Sequence, residues 1–378
     1  MVRLHQKKMQ SSRSHLTFGY TSLALFFIWI QNTHESNPPM DLNYLLFWTR
    51  SDTPPFSFFE EGQKSFIKNN CSYVNCYVTS DKSFFGKNYS KFQAIAFNGR
   101  DMKPFNRPRI RYFHQKYIFF NMRSSRNFPV CHKRFENFFN MTATYKLDSD
   151  IPVPYLLIRN KNGDIVGPKR NMKWVKMDAW DDDPRNNNIL YKTKAAAWYP
   201  CCCKTRNKRK TFVMKLQAAL RPYKLKVDTY GPCGKLNCSN TSIPNCEASI
   251  WQKYFFYMSL ENSFAVDFVT EKLLKAMTHE IVPIVFGGAD YSRFLPPGSY
   301  IDARQSINRL AALMNKLIQS PKAYRQYFRW KKHYTYHDPS RENICKICEA
   351  LNAEELMSKI TTYHNFRAWW NPNFRKLC

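Results

Sequence analysis

FFYMSLENSFAVDFVTEKLLKAMTHEIVPIVFGGADYSRFLPPGSYI, residues Phe255 to Ile301, decides the fold. Phe255 to Met258 is aromatic and apolar, as a buried strand is. Asp267 and Thr270 are both candidate N-caps for a helix running to about His279. Leu273, Leu274 and Met277 give that helix an apolar face. Ile281 to Phe286 is β-branched and free of charge, which suits a central parallel strand. Gly287-Gly288 then breaks the chain. The stretch reads as a βαβ unit with Glu271 and Lys272 in the first helical turn. Backbone N–H groups are free at such a turn and can hold a phosphate. A lysine there adds a point charge for a diphosphate. A glutamate beside it accepts a hydrogen bond from a ribose hydroxyl.

Outward from this unit, the 378 residues are enough for two domains, and 44% are hydrophobic, so real cores can form. The formal net charge of +30 first suggests nucleic acid. The Lys and Arg residues are scattered, however, and only Lys204 to Lys210 (KTRNKRK) is a dense run. With no zinc-finger, RNA-recognition or basic-zipper pattern, no nucleic-acid partner is expected. At the N-terminus, Arg3, Lys7, Lys8 and Arg13 precede the uncharged run Leu16 to Ile30. Fifteen residues span about 22 Å as a helix, short for a membrane but tolerated in thin early-secretory bilayers. No small-residue cleavage site follows. An uncleaved signal anchor with its basic end cytosolic is therefore expected, a cleaved signal peptide being the other reading. The remainder would be lumenal. Sequons at Asn70, Asn88, Asn140, Asn237 and Asn240 fit N-glycosylation there, and twelve cysteines fit an oxidising compartment. Cys345-Lys-Ile-Cys348 has no second CxxC at zinc-ribbon spacing, so no metal is assigned to it.

Strand-like runs at Tyr44–Thr49, Tyr73–Ser80, Phe92–Phe97 and Tyr117–Met122 alternate with loops and helix-sized stretches, as in an open α/β sheet. Residues 156 to 193 are polar and read as linker. Asp181 to Asp183 stand before Pro184 and three Asn, which suggests an exposed loop rather than a metal site. Ala195–Tyr199 and Leu225–Tyr230 read as strands of a second half. Between them Phe212, Val213, Leu216 and Leu220 mark a helix face, and Leu310, Leu313, Met314 and Leu317 mark a later one.

Glu261-Asn262-Ser263, Asp267 to Lys272, Val282 to Val285, Tyr291 and Arg293 to Pro297, in that order, closely resemble the donor-binding segment of the α-1,3-fucosyltransferases, glycosyltransferase family 10. YLLFWT at 44–49, NCYVTSDKS at 75–83, AIAFNGRDM at 94–102 and YKLDSDIPVPY at 145–155 extend the resemblance over about residues 43 to 365. It implies an α/β enzyme of GT-B architecture, two Rossmann-like domains facing a cleft behind an N-terminal transmembrane helix. The expected organisation is a cytosolic tail at 1–14, a signal anchor at 15–31 and a short stem at 32–42. An acceptor-side domain at 43–170, a linker at 171–193, a GDP-fucose-binding domain at 194–365 and a tail at 366–378 follow. The implied protein is a single-pass type II protein of the Golgi membrane. It would transfer fucose from GDP-fucose to GlcNAc of glycoprotein glycans, with no cofactor or metal required. By the same resemblance Arg209 and Lys272 would contact the diphosphate, Glu271 the ribose, and Asn262 the donor. Phe268 stands where the family usually has Tyr, and would pack on the nucleotide without hydrogen bonding.

One departure is serious. The family carries its proposed general base in a pattern like F-N-M-E-S-P, and this chain has Phe120-Asn121-Met122-Arg123-Ser124-Ser125. A guanidinium is never deprotonated in a protein, so Arg123 is no base. Glu136 is the next acid downstream, expected on an exposed helix. Cys201-Cys202-Cys203 replaces the family's S-N-C, and Ala265 replaces a frequent Cys. Three readings follow: an active enzyme with a relocated or dispensable base, a catalytically impaired member that binds GDP-fucose or glycan, or an unrelated basic binding protein.

Overall fold

Aromatic and aliphatic runs of the first half build a six-stranded sheet in the computed structural model, which describes residues 42–178, 191–234, 236, 238 and 246–378. The strands are β1 (Asn43–Phe47), β2 (Cys76–Thr79), β3 (Ala94–Asn98), β4 (Lys116–Asn121), β5 (Met141–Thr144) and β6 (Ile151–Pro152). Their order is β2-β1-β3-β4-β5-β6, with every neighbouring pair parallel. Every residue of β3, β4 and β5 is buried, as expected of parallel strands covered on both faces.

Leu157–Asn160 (β7) and Ile165–Gly167 (β8) form a hairpin, not the linker expected from residue 156. The turn holds because Asn160 Oδ1 accepts the backbone N–H groups of Asn162 and Asp164. β7 also pairs with a distant strand, β14 (Tyr334–His337), in a small antiparallel sheet.

The second half forms a parallel sheet of β9 (Lys194–Trp198), β10 (Val227–Thr229), β11 (Tyr254–Leu260), β12 (Val282–Phe286) and β13 (Ile301–Asp302), ordered β10-β9-β11-β12-β13. β11 is buried along its whole length. Val213, Leu216 and Leu220 of the helix Arg209–Leu220 pack on this sheet with Leu310, Met314 and Leu317 of the helix Ile307–Gln319. The helix of the opening βαβ unit is shorter than its periodicity suggests, Glu271–Met277. Thr270 sits at its N-cap without a side-chain cap bond, and Asp267 lies outside it at φ 56. Gly288 is required by close approach: a Cβ there would stand 2.5 Å from the Phe264 carbonyl carbon.

The end of the chain returns to the first sheet, which corrects the expected boundary at 365 and the expected tail at 366–378. Ile347, Cys348, Ala350 and Leu351 of the helix Ser340–Asn352 share a core with Leu45, Val78 and Ala94. Cys71–Cys345 and Cys76–Cys348 disulfides fasten that helix, so the CxxC pair is structural. Phe366 and Trp370 pack edge-on against Phe119, and Cys131–Cys378 ties down the last residue. Among the described residues no helix is long and apolar enough to cross a membrane. The expected anchor at 15–31 and the DDD run at 181–183 lie outside the described residues.

Candidate active site

Strand β11 ends at Leu260, and the residue after it, Glu261, organises a charged cluster. Glu261 is 2% exposed, and its carboxylate accepts the Thr270 backbone N–H at 2.9 Å, the Thr270 hydroxyl and the Lys272 ammonium at 3.3 Å. The helix N-terminus expected to hold a phosphate is thus capped from within, at Thr270, by a side chain that sequence reasoning did not assign. Lys272 also donates to Thr270 Oγ1 at 2.6 Å and to Glu271 at 3.4 Å. Burial opposes its charge, but Glu261 and Glu271 outweigh burial and hold its pKa above the ordinary lysine value.

Arg209 begins its helix and is completely buried. Its Nη1 donates to the Leu260 carbonyl at 2.6 Å and its Nη2 to the Cys202 carbonyl at 3.0 Å. Each terminal nitrogen thus gives one of its two N–H groups to backbone, which fixes the position of the guanidinium. No carboxylate pairs with it among the described residues, and its Nε has no partner. An uncompensated buried charge is costly, and an arriving anion relieves that cost. Arg209 and Lys272 lie close enough for Arg209 to lower the lysine's pKa.

The two parallel sheets meet through the segment after β4 on one side and those after β9 and β11 on the other. Asn127 Nδ2 donates to Asn262 Oδ1 at 3.1 Å, Ser124 and Ser263 hydroxyls bond each other, and Arg206 donates to the Arg126 carbonyl at 2.9 Å. Asp267 accepts the Leu147 N–H at 3.2 Å and pairs with Arg293 at 3.3 Å. Phe268 is 4% exposed and packs edge-on against Tyr145, with ring centroids 4.9 Å apart. It is wall, and the expected stacking on a nucleotide is not available to it. Beside this seam lies a cavity of about 310 Å³, lined by Phe120, Met122 and Tyr155 from the first half, Glu271 from the second, and Asp338 and Asn343 from the return segment. Such a place, beyond the carboxyl ends of parallel strands, is where open α/β sheets bind ligands.

Comparison with known proteins follows the same outline. Residues 40–156 match the model of the fucosyltransferase N-terminal region. Residues 189–369 match that of the C-terminal region of glycosyltransferase family 10 (fucosyltransferase). The chain belongs to glycosyltransferase family 10. This fucosyltransferase-family chain is 35% identical over 308 residues to alpha-(1,3)-fucosyltransferase C of Drosophila melanogaster, covering 79% of this chain and 70% of that protein. It is 32% identical over 238 residues to glycoprotein 3-alpha-L-fucosyltransferase A of the same organism, covering 61% of this chain and 43% of that protein. A crystal structure of an alpha1,3-fucosyltransferase with GDP shares the fold, with a TM-score of 0.50 at 15% identity over 87% of this chain and 94% of that one. The chain is a glycosyltransferase by family.

Within the family frame, Arg123 follows β4 directly and is exposed. Its backbone N–H donates to Asn121 Oδ1 at 2.7 Å, and its charge acts on Tyr155 in the cavity wall. Glu136 is no substitute acid. It follows a short turn rather than lying on an exposed helix, and Arg367 Nε holds it at 2.6 Å. The acids lining the cavity are Glu271 and Asp338. Of the sequons, Asn70 and Asn88 are exposed, while Asn237 and Asn240 lie outside the described residues. Asn140 is 3% exposed and accepts the Tyr117 N–H at 3.0 Å, so the expected glycan at Asn140 has no room on the folded chain. Cys203 pairs with Cys233, leaving Cys201 and Cys202 as exposed thiols.

Proposed function

We propose that this chain transfers fucose from GDP-fucose to the 3-position of GlcNAc on glycoprotein glycans, with turnover held down by Arg123. The observation that carries the donor half is the buried, carboxylate-free Arg209 beside Lys272. Two cations at the starts of the helices that follow β9 and β11 suit a nucleoside diphosphate, and they stabilise the charge that develops on a leaving diphosphate. Lys272 is the direct contact, pre-placed by Glu261. Arg209 acts as fixed charge behind it. Glu271 faces the cavity and suits the ribose, and Asn262 lies at the seam as a donor-side amide. The two halves facing one cleft suit GT-B architecture, and neutralisation by side chains suits a reaction needing no metal or cofactor.

The acceptor half is weaker by chemistry. Attack by a sugar hydroxyl wants a base, and Arg123 stands in its expected place. This favours the second reading, a member that holds GDP-fucose or glycan but turns over slowly. The uncharged run Leu16 to Ile30 behind basic residues, together with the disulfides Cys71–Cys345, Cys76–Cys348, Cys131–Cys378 and Cys203–Cys233, supports a type II Golgi protein with its enzymatic part lumenal. The test is transfer from labelled GDP-fucose to GlcNAc-terminated and lactosamine-terminated acceptors, alongside GDP binding by calorimetry with chelator present. GDP binding with transfer supports the full proposal, GDP binding without transfer supports the second reading, and absence of GDP binding removes the first and the donor-binding form of the second.

A further inference from the structure

The basic residues that look scattered along the sequence are partly gathered by the fold. Between Met102 and Phe135 there are nine Lys or Arg residues and no Asp or Glu. Four of the arginines, Arg107, Arg109, Arg111 and Arg134, line one cavity of about 500 Å³. The cavity lies beside the N-terminal part of β4. Tyr117, in its wall, is four residues and about 13 Å back along the strand from Asn121 and the cleft.

The cavity's charge is unbalanced. The acid in its wall, Glu136, is already paired with Arg367. Among the described residues Arg107, Arg109 and Arg134 have no carboxylate partner. Arginines that crowd one concavity repel each other unless an anion joins them. They lie on aromatic rings: Arg111 is 4.3 Å from the centroid of Tyr117, and Arg134 is 4.8 Å from that of Phe105. Phe105 itself is 79% exposed, a flat apolar ring at the cavity rim. The Tyr117 hydroxyl is buried with no hydrogen-bond partner. Burial pushes its pKa up to about 12 against the pull of Arg111 and Arg107, so it keeps its proton and remains a donor at neutral pH.

We propose that this cavity binds a sulfated oligosaccharide, at a site separate from the cleft. Planar guanidinium forks match the oxygens of a sulfate ester, and two unpaired forks on Arg107 and Arg109 can share one. The exposed face of Phe105 suits the C–H face of the sugar that carries it. A charge set inside a concavity fits a discrete group better than a flat lipid surface. The site does not rest on the donor reading, since none of its residues touches the Lys272 cluster.

The experiment is calorimetry on the purified full chain with a heparin-derived tetrasaccharide, its desulfated counterpart, and vesicles containing phosphatidylserine. The sulfated tetrasaccharide is expected to bind, with the desulfated one weaker by about tenfold or more. Arg107→Ala/Arg109→Ala should lose about tenfold for the sulfated probe, the size expected for charge-assisted hydrogen bonds. Lys215→Ala/Arg221→Ala removes the same charge from exposed positions near the second sheet, and should lose no more than about twofold to threefold, because exposed charges that distant are screened. Arg134→Ala, on another segment, should show the same direction of loss and stands in if the double variant melts early. Equal binding of the desulfated sugar, equal loss in the two double variants, or stronger binding to the vesicles than to the sugar would overturn the proposal.

Discussion

Lys272 Nζ lies 3.3 Å from Glu261 Oε2, and the same carboxylate caps the Thr270 N–H at the start of the lysine's helix. One buried acid therefore sets both the helix start and the position of the cation. Without Glu261 the lysine would have to be ordered by the ligand, which weakens binding.

Lys272→Ala should weaken GDP binding by about 1.5–3 kcal/mol, the range for a hydrogen bond to a charged group. Glu261→Gln should weaken it less and also lower the melting temperature, because it removes charge from the pair but keeps an acceptor for Thr270. Calorimetry with chelator present reads both. An unchanged GDP affinity in Lys272→Ala would take Lys272 out of the site.

Two lysines shift in opposite directions, and their pH signatures differ. Lys272 is raised, so its charge is present below the ordinary lysine pKa and is lost only above it. GDP affinity should accordingly show no titration of Lys272 between pH 6 and about 9. Lys192 is pushed down to about 8 by burial, against the pull of Glu280. Between about 8 and the unfolded value near 10.4, the unfolded chain binds more protons, so this group's contribution to stability rises with pH. The stability difference between wild type and Lys192→Met should therefore shift in favour of wild type from pH 7 to 9.5 in urea unfolding. A difference that stays flat contradicts the assignment.

How much of this was legible depends on where the partners lie. The βαβ unit around β11 and β12 could be read because continuous apolar runs and a helix start are local signals, and Lys272 stood inside them. Glu261 could not be assigned, because its partners are Thr270 and Lys272, nine and eleven residues on, and the turn at Val266 and Asp267 folds them onto it. Arg209 was singled out by resemblance, but nothing local says which cation of KTRNKRK turns inward. Left-handed Lys208 sets that orientation, placing Arg209 under the Leu260 carbonyl. The β7–β8 hairpin looked like linker because strands of four and three residues, the first ending in Arg and Asn, carry little periodicity. The return of the chain to the first sheet rests on disulfides that span 272 and 274 residues, which leave no local mark.

Those bridges should matter to stability. Cys345→Ser or Cys348→Ser should each cost about 2–5 kcal/mol, since each opens a very long loop in the unfolded chain. Thermal unfolding under non-reducing conditions measures this. Variants that melt with the wild type would show the bridges to be dispensable.

Glycopeptide mapping of protein made in a secretory host should find glycan at Asn70 and Asn88 and none at Asn140. Asn140→Gln should destabilise the fold, because the shorter side chain bonds the Tyr117 N–H and the Ile360 and Thr361 carbonyls. Occupied Asn140 on a folded chain would contradict the buried placement.

The most direct measurement is the rate of fucose transfer from GDP-fucose to a GlcNAc acceptor for wild type and Arg123→Glu, with GDP affinity measured on both. Positioned acid–base groups contribute roughly 10²–10⁴-fold in rate. A base acts in the transition state and not in nucleotide binding, so the variant should turn over at least about a hundredfold faster with GDP affinity unchanged. Arg123→Glu/Ser125→Pro should add to the gain if the neighbouring departures couple. Brisk wild-type transfer that Arg123→Glu leaves unaltered would contradict the role given to Arg123, and absence of transfer in every variant despite tight GDP binding would contradict the proposed reaction.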